Sequence, residues 1–461
     1  MLAWITILAI LLQVYLVSNV IHEGHNWGDD FALYIHQAKV LAGDGTISAL
    51  AKTNRFSMQH SEKLIGPYLY PPGFPILLSP VYSMYGLDFK VLKWFCAIFL
   101  IASIALFYRL VRADLPEGFW AVFGVVLLAM NDELLLFTDN VLSDLPFFFF
   151  CLLSFYLLKL PNTPIRLILL GCTVFYAYLI RDIGVVLLPS IIGYQLFNTK
   201  RSEWKKTILL PLGVFVILLA GSKFYFPGGQ ENHYQEILKA SSAPSYFFKF
   251  RYYLEWLGAC FKLPIENFFS GLLILCLATI GTILNWRKNV HLTIFLLSYL
   301  SILIIWPAIQ GVRFIFPLIP VCLLLIFQVS NHIVTQFKGA AYILSVLAII
   351  YLLPYSLATY KNVMAYSKTQ SNQAFTSEMQ AIYLKLSQAD APQGIIAFEK
   401  PRLLTLCTGR TAIYCSPKNF AASKANLLLL NKQTMHELKD TTLHVKQSFG
   451  TYVLLEKQIR Y

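Results

Sequence analysis

Charged residues are scarce in this chain: Asp, Glu, Lys and Arg make up 13% of its 461 residues, about half the ordinary share. That excludes an ordinary water-covered globule of this length. Also missing are a P-loop, a glycine-rich dinucleotide fingerprint, an HExxH pair and a GxSxG elbow, so the common nucleotide, zinc-protease and hydrolase chemistries have no signal here. There is no internal repeat and no low-complexity tract. Acids are fewer than bases, 24 against 37 Lys and Arg, which makes the position of each one informative. The net charge of +13 does not indicate nucleic acid, because the basic residues lie in short clusters between apolar runs, where they act as topology signals.

What the chain has is hydrophobic length. Apolar residues make 57% and aromatics 15%, arranged in runs long enough to cross a bilayer, so the class is an integral multi-pass membrane protein. Residues 2–20 resemble a signal-peptide core but lack a preceding basic residue and a clear small-x-small cleavage site, and read as a retained first span. Further spans fall near 91–110, 117–132, 145–160, 165–181, 184–198, 207–226, 267–285, 290–307, 314–330 and 339–358, eleven in all. Of the eight cysteines, Cys96, Cys151, Cys172, Cys276 and Cys322 fall in spans and Cys260 near one, where they pack as small hydrophobes.

The strongest basic clusters, Lys200, Arg201, Lys205 and Lys206, then Arg287 and Lys288, set those loops on the cytoplasmic side. Arg109 with Arg112, Lys159 with Arg166, and Lys338 agree if the N-terminus is cytoplasmic. Counting 74–86 as a span would invert every later loop, and it is short and proline-rich, so it reads as a juxtamembrane or re-entrant helix. The outer face then receives residues 21–90, the Glu133–Asp144 loop, the Arg181–Asp182 turn, residues 227–266, the loop of Arg313, and everything past about 360. The expected organisation is a transmembrane domain over 1–360 and a soluble extracytoplasmic α/β domain over 361–461. That tail carries an amphipathic helix over 374–388 and short strands at IIAFE, AIYC, LLLL and TYVLLE. Cys407 and Cys415 flank a turn containing Gly409, as a disulfide or as two free buried thiols.

The conspicuous polar residues collect on the outer side. WGDDFALYIHQAKVLAGDG suits a short interfacial helix with Asp29 and Asp30 at its N-terminus; these acids either cap it or act as a base. YLYPPGFPILLSP makes a rigid turn through Pro71, Pro72, Gly73 and Pro75, with Tyr68 and Tyr70 as sugar-pocket or interfacial residues. NDELLLFTDNVLSDLP places Glu133, Asp139 and Asp144 at the bilayer edge, with Asp144 as a cap before Pro146 or as a functional acid. Arg181 in YLIRDIG and Arg313 in QGVRFIFPLIP end apolar stretches, where a guanidinium meets lipid headgroups or a substrate phosphate; Asp182 is an alternative partner for Arg181. His22, His25 and His36 lie near the acidic pair without metal-site spacing, and a divalent cation remains open only through Asp29 and Asp30.

These segments, DDFALY, YPPGFP, SDLP, YLIRDIG, RFIFPLIP and the tail FEKPRLLTLCTGR, together resemble the GT-C polytopic glycosyltransferases, in particular those related to protein O-mannosyltransferases and the lipid A aminoarabinose transferase. The resemblance covers nearly the full length. It implies a helical GT-C membrane domain with a small C-terminal α/β domain, in the bacterial inner membrane, and inverting transfer of a sugar from a polyprenyl-phosphate donor on the outer face. The acceptor would be a glycolipid, glycan or protein hydroxyl. It points to Asp30 as general base, since an acid four positions before a Tyr, here Tyr34, is the family pattern. Members often carry Asp-Glu there; Phe31 follows Asp30, so a register with Asp29 as base also stands. Asp144 takes the second acidic position, and Arg181, Arg313, Tyr34 and Tyr70 surround the donor. The rival reading is a multi-spanning transporter or lipid flippase. It requires mid-span charges and paired broken helices, whereas the acids here sit in outer loops.

Overall fold

The computed structural model describes every residue except 1, 26–27, 116–117, 227–243, 338, 370–372, 439–442 and 458–461. Part of the expected outer loop 227–266, and Lys338, lie outside the described residues. Each of the eleven segments read as a span carries a helix: Leu2–Val20, Phe89–Asp114, Gly118–Ala129, Asp144–Lys159, Pro164–Ile180, Leu187–Asn198, Leu209–Tyr225, Asn267–Leu284, Trp286–Ile305, Leu318–Gln336 and Ala340–Tyr366. Six described helices are long and apolar enough to cross a membrane by length and composition. Their outward faces carry large bare side chains such as Ile217, Tyr342 and Leu353, as lipid-facing surfaces do.

Lipid supplies no hydrophobic drive between helices, so close approach rests on small residues. A Cβ on Gly258 would lie 1.9 Å from the Asn267 carbonyl oxygen, and one on Gly271 2.0 Å from that of Leu254. Helices Tyr246–Phe261 and Asn267–Leu284 therefore meet backbone to backbone. Gly281 does the same against Leu325, at 2.0 Å from its carbonyl oxygen.

The segment after the first helix folds as helices Asp30–Leu41, Ile47–His60 and Gly73–Tyr85, the last being the short helix expected over 74–86. The final long helix runs to Tyr366, past the domain boundary expected at 360. Beyond it, helix Ser377–Ser387 starts on Thr376, whose hydroxyl accepts the Met379 N–H at 3.3 Å. A five-stranded sheet follows, ordered β2-β1-β3-β5-β4. Its strands are β1 Ile396–Ala397, β2 Ala412–Ile413, β3 Leu427–Asn431, β4 Leu443–Phe449 and β5 Tyr452–Lys457. β1 pairs in parallel with β2 and β3, whereas β5 runs antiparallel to β3 and β4. β4 was not expected from sequence because it is an edge strand, largely exposed, whose polar and charged side chains hide the alternation. Cys407 and Cys415 are both free thiols; Cys415 instead faces Glu62 at 3.7 Å.

One face of the sheet packs Ala397, Ile413, Leu428, Leu430, Val453 and Leu455 into a core of its own. The other, with Ile396, Leu427, Leu429 and Leu454, joins through helix Pro401–Thr408 the same core that holds Phe31, Ile35 and Phe74. The tail is thus packed on helices Asp30–Leu41 and Gly73–Tyr85.

Candidate functional site

The site forms where the starts and ends of several helices converge. Asp144 opens helix Asp144–Lys159, and Pro146 in that first turn forfeits no hydrogen bond the helix would have made. Its carboxylate does not cap its own helix. It takes the Nη1 donor of Arg181, the residue that ends helix Pro164–Ile180, so the alternative pair Arg181–Asp182 is not the one formed. Arg181 also lies over the ring of Phe314 at 4.1 Å. Arg313, on the turn Val312–Ile315, stands between the two acids: Nη2 is 3.5 Å from Asp30 Oδ2 and Nη1 is 3.8 Å from Asp144 Oδ2. The residues singled out from four separate stretches of chain are brought within one cluster.

Asp29 and Asp30 part company. Asp29 precedes helix Asp30–Leu41 without capping it; its oxygens accept the backbone N–H groups of Arg402 at 2.7 Å and Leu403 at 3.0 Å. The expected cap is real but serves helix Pro401–Thr408 of the tail. Burial pushes the Asp29 carboxyl up to about 6, against the opposing pull of Arg402 and those two N–H groups. Asp30, by contrast, keeps 28% of its side chain exposed. With both Asp29 oxygens committed to N–H groups and guanidinium groups beside Asp30, this pair does not fit a divalent cation. Among the described residues no group of His, Cys, Asp and Glu could hold one.

Tyr34 and Tyr70 stack beside Asp30 with ring centres 4.3 Å apart. Tyr34 shares a hydrogen bond of 3.1 Å with Ser143 Oγ, and burial pushes its phenol up to about 12. Tyr70 is held well above the ordinary phenol range by burial first and then by the charge of Asp30. Both phenols therefore keep their protons at neutral pH. The Tyr70 backbone is clamped by Gln37, whose amide donates to the Tyr70 carbonyl at 3.0 Å and accepts its N–H at 2.9 Å. The YPPGFP turn is seated by Gly73, where a Cβ would lie 2.5 Å from the Leu179 carbonyl carbon, and by Tyr176, which donates to the Gly73 carbonyl at 3.0 Å. That contact docks the turn on the helix end carrying Arg181. Tyr68 is buried away from this group, beneath Arg55 at 4.8 Å.

Sequence reasoning missed Arg402 and Ser143. Arg402 reaches Asp30 Oδ1 at 3.7 Å from the tail. A usable signal existed, because Pro401 at a helix start and Gly409 in the left-handed conformation just past its end bracket a short helix. Asp139 belongs elsewhere, in a buried cluster with Lys93, His22 and Tyr366. His36 is half-buried, and the loss of water around it lowers it to about 4, so it stays neutral.

The Asp29 arrangement has a pH signature. A carboxyl whose folded value lies above the ordinary 3.8 binds its proton more tightly when folded, so stability is highest below about pH 4 and falls as pH rises toward 6. The loss is on the order of 3 kcal/mol. Melting temperatures of wild type and Asp29→Asn across pH 4 to 7 should show this extra slope only in wild type. Parallel curves would mean the carboxyl is not desolvated.

Residues 70–225 match the family model described as dolichyl-phosphate-mannose-protein mannosyltransferase, a stretch that includes Tyr70, Asp144 and Arg181. No curated protein matches the chain by sequence. The fold is similar over 99% of this chain and 98% of the other to ArnT from Cupriavidus metallidurans bound to undecaprenyl phosphate, with TM-score 0.64 and 11% identity. The Archaeoglobus fulgidus oligosaccharyltransferase in complex with zinc and sulfate aligns over 93% of this chain and 68% of its own, with TM-score 0.61 and 12% identity. The oligosaccharyltransferase AglB of the same organism, in complex with an inhibitory peptide and a dolichol-phosphate, aligns with TM-score 0.57 and 12% identity, over 94% and 69%. At such identities the likeness is one of fold, and the fold of this chain is the GT-C fold with a small C-terminal sheet.

Proposed function

We propose that this protein is a membrane glycosyltransferase that moves a sugar from a polyprenyl-phosphate donor to an acceptor hydroxyl on the non-cytoplasmic face, with Asp30 as general base. The observation that carries the reading is the partly exposed Asp30 flanked by Arg313 and Arg402 and joined through Arg313 to the Asp144–Arg181 pair. In support, the structural relatives include one bound to undecaprenyl phosphate and one with a dolichol-phosphate.

The proposed reaction needs few parts. The acceptor oxygen gives its proton to Asp30 and attacks the anomeric carbon from the side opposite the phosphate, so the bond to the phosphate oxygen breaks and the configuration inverts. The leaving group departs as polyprenyl phosphate, already an anion, and fixed guanidinium groups stabilise it without a general acid. Arg181 and Arg313 supply that field, Asp144 orients Arg181, and Tyr34 and Tyr70 form an aromatic wall with a polar rim for the sugar. The layout in the membrane follows the basic loops, with the N-terminus cytoplasmic and the C-terminal domain outside.

The test is lipid mass spectrometry of a deletion strain against one carrying the gene. A lipid-linked sugar should accumulate in the deletion and return to baseline on complementation. Unchanged lipid-linked sugars, alongside a missing transported lipid, would favour a flippase.

A further inference from the structure

Arg402 is a cation whose hydrogen-bonding capacity is mostly unspent. Its side chain is 3% exposed, yet Nη1 stands 3.7 Å from Asp30 Oδ1, beyond hydrogen-bond range, and Nε and Nη1 have no hydrogen-bond partner among the described residues. Only Nη2 is engaged, donating to the Pro67 carbonyl. A buried guanidinium with idle N–H groups is costly unless a ligand takes them up. The surroundings hold it in place. Asp29 fixes its backbone through the Arg402 and Leu403 N–H groups, and its guanidinium lies 5.7 Å from the Tyr70 ring centre. Gly66, at φ +92°, borders the group so closely that a Cβ would sit 3.1 Å from Nη1 and 3.3 Å from the Tyr70 hydroxyl. Charge points the same way: three guanidinium groups, those of Arg181, Arg313 and Arg402, face Asp30 and Asp144, while Asp29 spends both oxygens on backbone N–H groups.

We propose that Arg402, delivered by the C-terminal domain, is a third phosphate-binding arginine of the donor site, taking a phosphate oxygen with the Nη1 group that faces Asp30. This rests on the prenyl-phosphate reading above and deepens it, because the tail domain then completes the donor site. A guanidinium holds its donors in a fixed plane and stays charged when buried, which the rotating ammonium of lysine does not reproduce.

The experiment uses the full-length protein in phosphatidylcholine nanodiscs and measures binding of undecaprenyl phosphate and of neutral undecaprenol to wild type, Arg402→Gln and Arg402→Lys by native mass spectrometry. Wild type should prefer the phosphate. Arg402→Gln should lose about tenfold or more of that preference with undecaprenol binding unchanged, and Arg402→Lys should fall between. If the Gln variant does not fold, the Lys variant carries the same comparison. A preference undiminished in folded variants overturns the inference, as does a parallel loss for both lipids, which would make Arg402 a strut of the domain contact. Equal displacement by excess phosphatidylglycerol also overturns it, by assigning the arginine to bulk headgroups. Absence of any phosphate preference in wild type would instead overturn the donor reading itself, and this inference with it.

Discussion

Asp30→Asn should lower sugar transfer from a polyprenyl-phosphate donor by about 10²- to 10⁴-fold at matched expression, with donor affinity equal to or tighter than wild type. The substitution is nearly isosteric, so the packing beside Tyr70 and the start of helix Asp30–Leu41 survive. What disappears is the proton acceptor and the negative charge between Arg313 and Arg402, which lie 3.5 Å and 3.7 Å from its oxygens. Losing that charge leaves both guanidinium groups more available to an anionic ligand, so rate and affinity should move apart. Single-turnover transfer with purified variants reads the rate, and undecaprenyl phosphate binding reads the affinity. Wild-type transfer by the Asn variant would remove Asp30 as base, and Asp29 could not replace it while both its oxygens hold backbone N–H groups.

The parts of this molecule that follow from local chemistry were legible in the sequence. Apolar runs of span length became helices because a bilayer demands internal backbone pairing, and the four segments around Asp30, Asp144, Arg181 and Arg313 could be placed on one common side from basic loops alone. The choice between Asp29 and Asp30 was not legible, because it depends on a helix about 370 residues later in the chain whose first amides claim one of the two carboxylates. Arg402 escaped for the same reason: a lone arginine beyond the last apolar run has no local mark of being buried against Asp30. Asp139 was noticed as an acid at the bilayer edge, but its partners at positions 22, 93 and 366 come from three other elements that no periodicity connects.

That last cluster carries the largest stability prediction. The Lys93 amine is fully buried and donates to Asp139 Oδ1 at 2.6 Å, to the His22 carbonyl at 2.9 Å and to the Gly24 carbonyl, so all three of its protons are used. Asp139 in turn accepts the His22 N–H at 2.7 Å and the Tyr366 hydroxyl at 2.9 Å. Removing one member strands a charge in a dry place, so Lys93→Met should cost about 3–5 kcal/mol, whereas Lys93→Met with Asp139→Leu should recover much of that loss because no charge is left unpaired. Denaturant unfolding of the purified variants checks both, and a single variant within about 1 kcal/mol of wild type would show that water reaches the cluster. The consequence extends to the site. Asp139 lies one short turn before Asp144, and between them the Val141 N–H donates to His25 Nε2 at 3.0 Å. The His25 ring stacks on Phe31 at 3.8 Å, and Phe31 is the residue after Asp30. Loosening Lys93 should therefore let Asp30 and Asp144 drift apart, and transfer in Lys93→Met should fall at temperatures well below its unfolding midpoint.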